Sequence, residues 1–157
     1  MDVTIETRPS YHVAYLRYTG PYGADGGIHE LWERLERWAT QRGLWTKDRV
    51  CLGVARDDPR ATEPARCRYD AAIVVPAGFV DGEIAIADTA GGACAVRRFV
   101  GKPHEIGPAF ASIFEEWLPA SGYDRDGRPP YELYDADFFD VRTYDITCDL
   151  CVPVRRR

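Results

Sequence analysis

The sequence predicts an α+β fold: two tandem β-α-β-β modules forming one curved antiparallel sheet, with two helices on one face and a pseudo-twofold axis between the halves. Three observations predict it. The run Val13-Ala-Tyr-Leu-Arg-Tyr-Thr-Gly20-Pro21 returns as Ala95-Val-Arg-Arg-Phe-Val-Gly101-Lys-Pro103, its glycines 81 positions apart. Each run is followed by an amphipathic stretch ending in Trp and then Gly: Leu31 to Trp38 and Gly43, then Phe110 to Trp117 and Gly122, both 79 positions apart. A period near half the chain means two copies of one supersecondary unit. Around these stretches, short alternating apolar and polar runs joined by hairpin-compatible connections specify antiparallel strands.

The elements follow in order. Val3 to Ile5 and Tyr11 to Tyr18 alternate as strands, broken at Pro9-Ser10. Gly20-Pro21-Tyr22-Gly23 is a loop. Ile28, Leu31, Trp32, Leu35, Trp38 and Ala39 form one helical stripe, and Gly43 supplies the stop. Val50 to Ala55 and Tyr69 to Val75 complete the first module. Residues 77–92 bridge the halves and carry a short strand at Glu83 to Ala87. The second module repeats the order: strand Ala93 to Val100, a helical stripe of Phe110, Ile113, Phe114, Trp117 and Leu118, and closing strands Pro130 to Tyr134 and Tyr144 to Val154. Pro108 cannot sit deep inside a helix, so the second helix is expected to begin near it. Helices of about 11–15 residues with one apolar stripe must lie against the sheet. The whole reads as one domain over 1–157, with repeats at about 1–76 and 93–157.

At 157 residues the chain can bury roughly 70% of its unfolded surface. Its 12% aromatic content is more ring surface than a core needs. A net charge of −5 argues against a broad nucleic-acid-binding face, and Arg155-Arg156-Arg157 reads as a solvated tail. No apolar run approaches the ~18 residues of a membrane span, and the amino terminus is not a signal peptide. An odd count of five cysteines in apolar settings points to reduced thiols and a cytoplasmic location.

Most catalytic signatures fail on inspection. His12, His29 and His104 have no metal-ligand spacing, and no metal or cofactor is expected. Cys148 and Cys151 sit in an alternating strand, so their side chains point to opposite faces. The glycines from Gly20 to Gly27 lack the Lys and Ser/Thr of a phosphate loop, and Asp25 would repel an anion. Asp57-Asp58-Pro59 is turn chemistry, and no GxSxG elbow is present.

Glu132 stands apart. It lies mid-strand in Pro130-Tyr131-Glu132-Leu133-Tyr134, with Glu132 and Tyr134 on one face. If that face looks toward the helices, a carboxylate sits among rings and must be paired, raised in pKa, or waiting for a ligand. The alternative is that it faces solvent or pairs with Arg128. The matching stretch of the first half, around Gly53, has no acid, so Glu132 breaks the repeat.

Several segments resemble the GyrI-like small-molecule-binding domain, also found as the effector-binding half of AraC-type regulators. They are Val13 through Tyr22, Gly53-Val-Ala-Arg-Asp-Asp-Pro59, Cys67-Arg-Tyr69-Asp70, Gly91-Gly92, Trp117-Leu-Pro-Ala-Ser-Gly-Tyr123 and Pro130 through Tyr134, in order and spanning nearly the whole chain. The second Gly-Pro turn departs from the pattern, reading Gly101-Lys102-Pro103-His104. The resemblance implies a cleft between the helices that takes lipophilic, aromatic or cationic small molecules. Glu132 would be the charge partner, and Tyr22, Tyr69, Trp117 and Tyr134 the walls. It also implies two alternatives. One is a hydrolase of cyclopropane-containing DNA-alkylating compounds with Glu132 as general base; the other is inhibition of DNA gyrase. With no helix-turn-helix segment ahead of the first strand, direct transcriptional control is not expected. A free sheet edge would allow either a monomer or a homodimer.

Overall fold

A computed structural model describes residues 1–23 and 27–157. Asp25 and Gly26 of the glycine-rich loop lie outside the described residues. The strands are β1 (Thr4–Arg8), β2 (His12–Thr19), β3 (Cys51–Ala55), β4 (Arg68–Val74), β5 (Ala85–Asp88), β6 (Gly92–Gly101), β7 (Tyr123–Arg125), β8 (Tyr131–Tyr134) and β9 (Ile146–Arg156). Helix α1 (Gly27–Gln41) separates β2 from β3. Between β6 and β7, α2 (Ile106–Ser112) passes through a π-helical turn at Ile113–Trp117 into α3 (Leu118–Ala120).

All strand pairs are antiparallel, in the order β1-β6-β9-β8-β3-β4-β2-β5, with β7 on the end of β9 beyond β8. The expected α+β architecture is therefore present, and its symmetry can be placed to the residue. Strands β3 and β8 meet at the seam with Gly53 opposite Glu132, Leu52 opposite Leu133 and Val54 opposite Tyr131. Those glycine and glutamate positions differ by the 79 of the repeat. The pseudo-twofold axis thus passes between Gly53 and Glu132. Farther out, Arg17 bonds Asp70 on β4 at 2.7 Å, and its equivalent Arg98 bonds Asp149 on β9 at 3.1 Å.

Two features differ from the sequence reading. Strand β1 does not extend the first half; it pairs with β6 of the second, Thr4 opposite Val96. The first half is instead completed by β5, which pairs with the outer edge of β2. The arginine run is not a loose tail either. Arg155 and Arg156 continue β9, where they pair with Asp124 and Tyr123 of β7, and Arg157 bonds Asp124 at 2.9 Å.

The connections force the sheet to curl. From β5 to β6 there are six strand-to-strand steps, about 29 Å in a flat sheet. Only residues 89–91 join these strands, and a chain that short reaches about 14 Å at most. The two ends of the sheet therefore approach each other. Thr89 N–H donates to Tyr11 O at 2.8 Å, Tyr11 N–H donates to Thr89 Oγ1 at 2.8 Å, and Arg128 donates to Gly91 O and Ala93 O at 2.9 and 3.0 Å.

Helix α1 buries Leu31, Leu35 and Ala39 against Ala14, Ala71 and Ile73 of β2 and β4. Gly43, at φ +69°, ends it with paired return bonds, Leu44 N–H to Ala39 O and Gly43 N–H to Thr40 O. The second helix buries Phe110 and Ile113 against Ala95, Leu150 and Val152 of β6 and β9. It begins at Ile106, two residues before Pro108, which occupies the first turn, where a missing N–H costs no bond. With one helix on each outer pair of strands, the β3–β8 seam forms the floor between them.

Candidate ligand site

Glu132 lies at the centre of that floor and is 6% exposed. Strand parity turns it toward the helices together with Gly53, Tyr69, Tyr134 and Cys148, since these positions share one face of adjacent strands. Its Oε1 accepts the Tyr69 hydroxyl at 3.1 Å and the Tyr134 hydroxyl at 2.9 Å. Tyr69 in turn receives the indole N–H of Trp32 at 3.3 Å. Oε2 takes no hydrogen bond from a described residue, and Arg128 is engaged elsewhere, with Asp126 and the linker carbonyls. Among the described residues Glu132 has no cationic partner.

The electrostatics follow from that setting. Burial favours the neutral acid and pushes the Glu132 carboxyl up to about 7, while the two tyrosine hydroxyls pull the other way and lose. Burial and the neighbouring carboxylate hold both tyrosine hydroxyls well above their ordinary value, so both remain protonated donors.

Gly53 makes the cluster sterically possible. A Cβ there would lie 2.0 Å from Tyr69 Oη and 2.9 Å from Glu132 Oε1. The repeat therefore differs around the axis in a correlated way: Gly53 against Glu132, Tyr69 against Cys148, and Ala55 against Tyr134, each pair 79 apart. The missing side chain on one strand is the space the carboxylate fills from the other.

The aromatic surroundings are edge-on. Trp32 meets Tyr134 with ring centres 5.9 Å apart at 78°, and Tyr69 at 6.5 Å and 68°. Phe138 lies against the far side of Tyr134 at 5.7 Å. Of the expected residues, Glu132, Tyr69 and Tyr134 come together directly. Tyr22 packs behind Tyr69 at 6.3 Å, with its own hydroxyl given to Arg68 O and Asp57 O. Trp117 stacks on Tyr123 at 6.3 Å and 21°, and its repeat equivalent Trp38 packs on Phe79 at 6.0 Å. Both indoles sit at outer ends of their helices, a place the repeat specifies twice.

Trp32 and Phe138 were missed by the sequence reading. At 100° per residue Trp32 sits on one flank of the α1 stripe and Trp38 on the other, with Leu31 and Leu35 between them. The flank facing the seam is the signal that singles Trp32 out. The loop acids bond locally, Asp57 to Arg68 at 2.9 Å and Asp58 to Arg60 at 3.2 Å. His12 and His29 pair with Asp88 and Glu33.

Chemically, the arrangement is a desolvated acid with two fixed donors on one oxygen, an unbonded second oxygen, and π faces and edges around it. Known proteins share this fold. The chain is 30% identical over 161 residues to a DNA gyrase inhibitor of Edwardsiella piscicida, covering 99% of each. Among solved structures it resembles the C-terminal domain of EcmrR, with a TM-score of 0.74 at 13% identity, covering 99% of this chain and 98% of that one. It also resembles SAV2435 bound to tetraphenylphosphonium, with a TM-score of 0.65 at 14% identity, covering 99% and 94%. The sequence profile of the GyrI-like small molecule binding domain matches residues 1–155, and the chain belongs to that family.

Proposed function

We propose that this chain is a capture module for lipophilic cations, with Glu132 as the counter-charge. The observation that carries the reading is a buried carboxylate held, among the described residues, by two neutral hydroxyls. An organic cation placed against it removes the cost of ionising the acid in a dry site. The rings of Trp32, Tyr69 and Tyr134 add cation–π attraction of about 0.5–2 kcal/mol each. Tyr22 braces Tyr69 from behind, and Trp117 shapes the opposite wall through its helix. The tetraphenylphosphonium bound by SAV2435 is a ligand of this chemical class. Because Glu132 is 6% exposed, a bulky cation reaches it only when neighbouring side chains move aside. Buried thiols and an acidic surface suit a cytoplasmic protein of this kind.

Titration with tetraphenylphosphonium, followed by tryptophan quenching and calorimetry at pH 8, tests the proposal. Saturable binding that weakens at least about ten-fold in Glu132→Gln is the expected result. Equal affinity in both proteins removes Glu132 from the role. A neutral ligand of similar shape, such as tetraphenylmethane solubilised in cyclodextrin, should bind with little dependence on Glu132.

A second reading is favoured by the position of the Glu132 carboxyl near pH 7. An acid so tuned is suited to take a proton from water, giving hydrolysis of strained, cyclopropane-containing alkylating agents. Product release over many turnovers, lost in Glu132→Gln, would establish it; binding without turnover dismisses it. The likeness to a gyrase inhibitor makes DNA gyrase a third candidate partner. Supercoiling by purified gyrase that is unaffected at micromolar protein excludes that role.

A further inference from the structure

The face of the sheet turned away from the helices holds a cavity that the Glu132 reading does not use. Its floor is apolar, made by Leu52 and Val54 of β3, Ala72 of β4 and Tyr131 of β8, and its volume is about 220 Å³. The curl of the sheet brings the 89–91 crossover and Arg128 over it as a roof. An engineered apolar cavity of about 150 Å³ holds benzene, so a space of this size accepts a ring system somewhat larger.

One wall carries charge. Asp70 is 1% exposed and both its oxygens are occupied: Oδ1 by Arg17 Nε at 2.7 Å, Oδ2 by Arg17 Nη2 at 3.1 Å and Arg56 Nε at 2.7 Å. Two guanidinium groups share one carboxylate, so among the described residues this cluster carries one net positive charge. Arg56 lines the cavity, and neither of its Nη atoms donates to a described residue. Of the other charged groups at the cavity, Asp88 bonds His12 through Oδ1 and its side chain is 70% exposed, while Arg128 is committed to Asp126 and backbone carbonyls. A carboxylate suits the open edge of the Arg56 fork, two parallel N–H donors on a planar frame. A cation finds no vacant acceptor on Asp70.

We propose that this cavity is a second ligand site, selective for small hydrophobic monoanions such as aromatic carboxylates of one or two rings. The anionic group would pair with Arg56, and the ring would lie on the Leu52, Val54 and Tyr131 floor. It stands back to back with the Glu132 site, because Leu52 and Val54 flank Gly53 while Tyr131 precedes Glu132 on the same strands. The two sites would prefer opposite charges, and this proposal does not depend on the first.

The test is an amide NMR titration of the full chain with 2-naphthoate, run in parallel with 2-naphthylmethylammonium. Saturable shifts at Leu52, Val54, Ala72 and Tyr131 with the carboxylate, and none there with the ammonium, are expected. Arg56→Gln should raise the 2-naphthoate Kd about ten-fold or more, Arg56→Lys should fall between, and Glu132→Gln should leave it within about two-fold. Arg56 is partly exposed, so its variants should keep the wild-type spectrum elsewhere. The proposal is overturned if these residues show no saturable shift at roughly millimolar 2-naphthoate. Equal binding of the ammonium at these residues, or unchanged affinity in Arg56→Gln, overturns it as well.

Discussion

Replacing Glu132 by Gln should make this protein more stable at alkaline pH and no different in acid. In the folded chain the carboxyl titrates at about 7 against an ordinary value of 4.5, because burial penalises its charged form. Below the unfolded value both states carry the proton, and the native contacts keep their full worth. As pH rises from about 4.5 toward 7 the unfolded chain ionises first, and stability is lost until the folded carboxyl has ionised too. The displacement corresponds to about 3 kcal/mol, fully lost above pH ~8. Glutamine keeps the oxygen that accepts from Tyr69 and Tyr134 but never ionises, so it removes this loss. At about 2–4 °C per kcal/mol for a chain of this size, Glu132→Gln should melt about 6–12 °C higher at pH 8.5 and within about 2 °C of wild type at pH 4. Thermal and urea unfolding of both proteins from pH 4 to 8.5 reads the difference directly, since other titrating groups cancel. Parallel stability curves across that range would refute the argument and place the acid in a solvated or paired setting.

Three further outcomes follow from the same geometry. Gly53→Ala puts a methyl group onto the Tyr69 hydroxyl and should cost about 1–3 kcal/mol in urea unfolding while weakening cation binding; an unperturbed variant would show that the floor is loosely packed. Trp32→Ala removes the ring that bonds Tyr69 and packs on Tyr134, so the Glu132 titration followed by carbon NMR should move down from about 7 toward its ordinary value; an unmoved titration would mean that other groups desolvate it. All five cysteines are free and buried, and burial raises the thiols of Cys51 and Cys151 to about 12, so Ellman's reagent should react slowly with the native protein at pH 8 and label five thiols in denaturant. A thiol labelled within seconds in the native state would contradict the packing of its strand.

What the sequence made legible is the part that repeats. The glycine and tryptophan spacings of 81 and 79 encode two copies of one unit, and an acid without a counterpart marks the axis between them. Pairing of edge strands was not legible. β1 alternates equally well beside either half, and only the short crossovers at 9–11 and 89–91 decide that it goes to β6. Trp32 was hidden because its place on the helical stripe reads as core. Which flank looks into a cleft depends on how the helix sits over its sheet, and that is a tertiary property. The π-helical turn at Ile113–Trp117 shifts the angular order of residues there, and the Trp117 indole stacks on Tyr123.

The strand that leaves its own half has a consequence for assembly. β1 reaches β6 across a hinge of three residues, Pro9, Ser10 and Tyr11. A second chain could supply the same strand to the same edge with the same register, so a pair of molecules exchanging these arms would contain every hydrogen bond of the single molecule. The two forms would differ only in hinge conformation and in concentration dependence. In such a pair β3 and β8 still come from one chain, so each Glu132 floor would remain whole. Exchange of the amino-terminal arm would thus join two copies while leaving the carboxylate and its rings untouched.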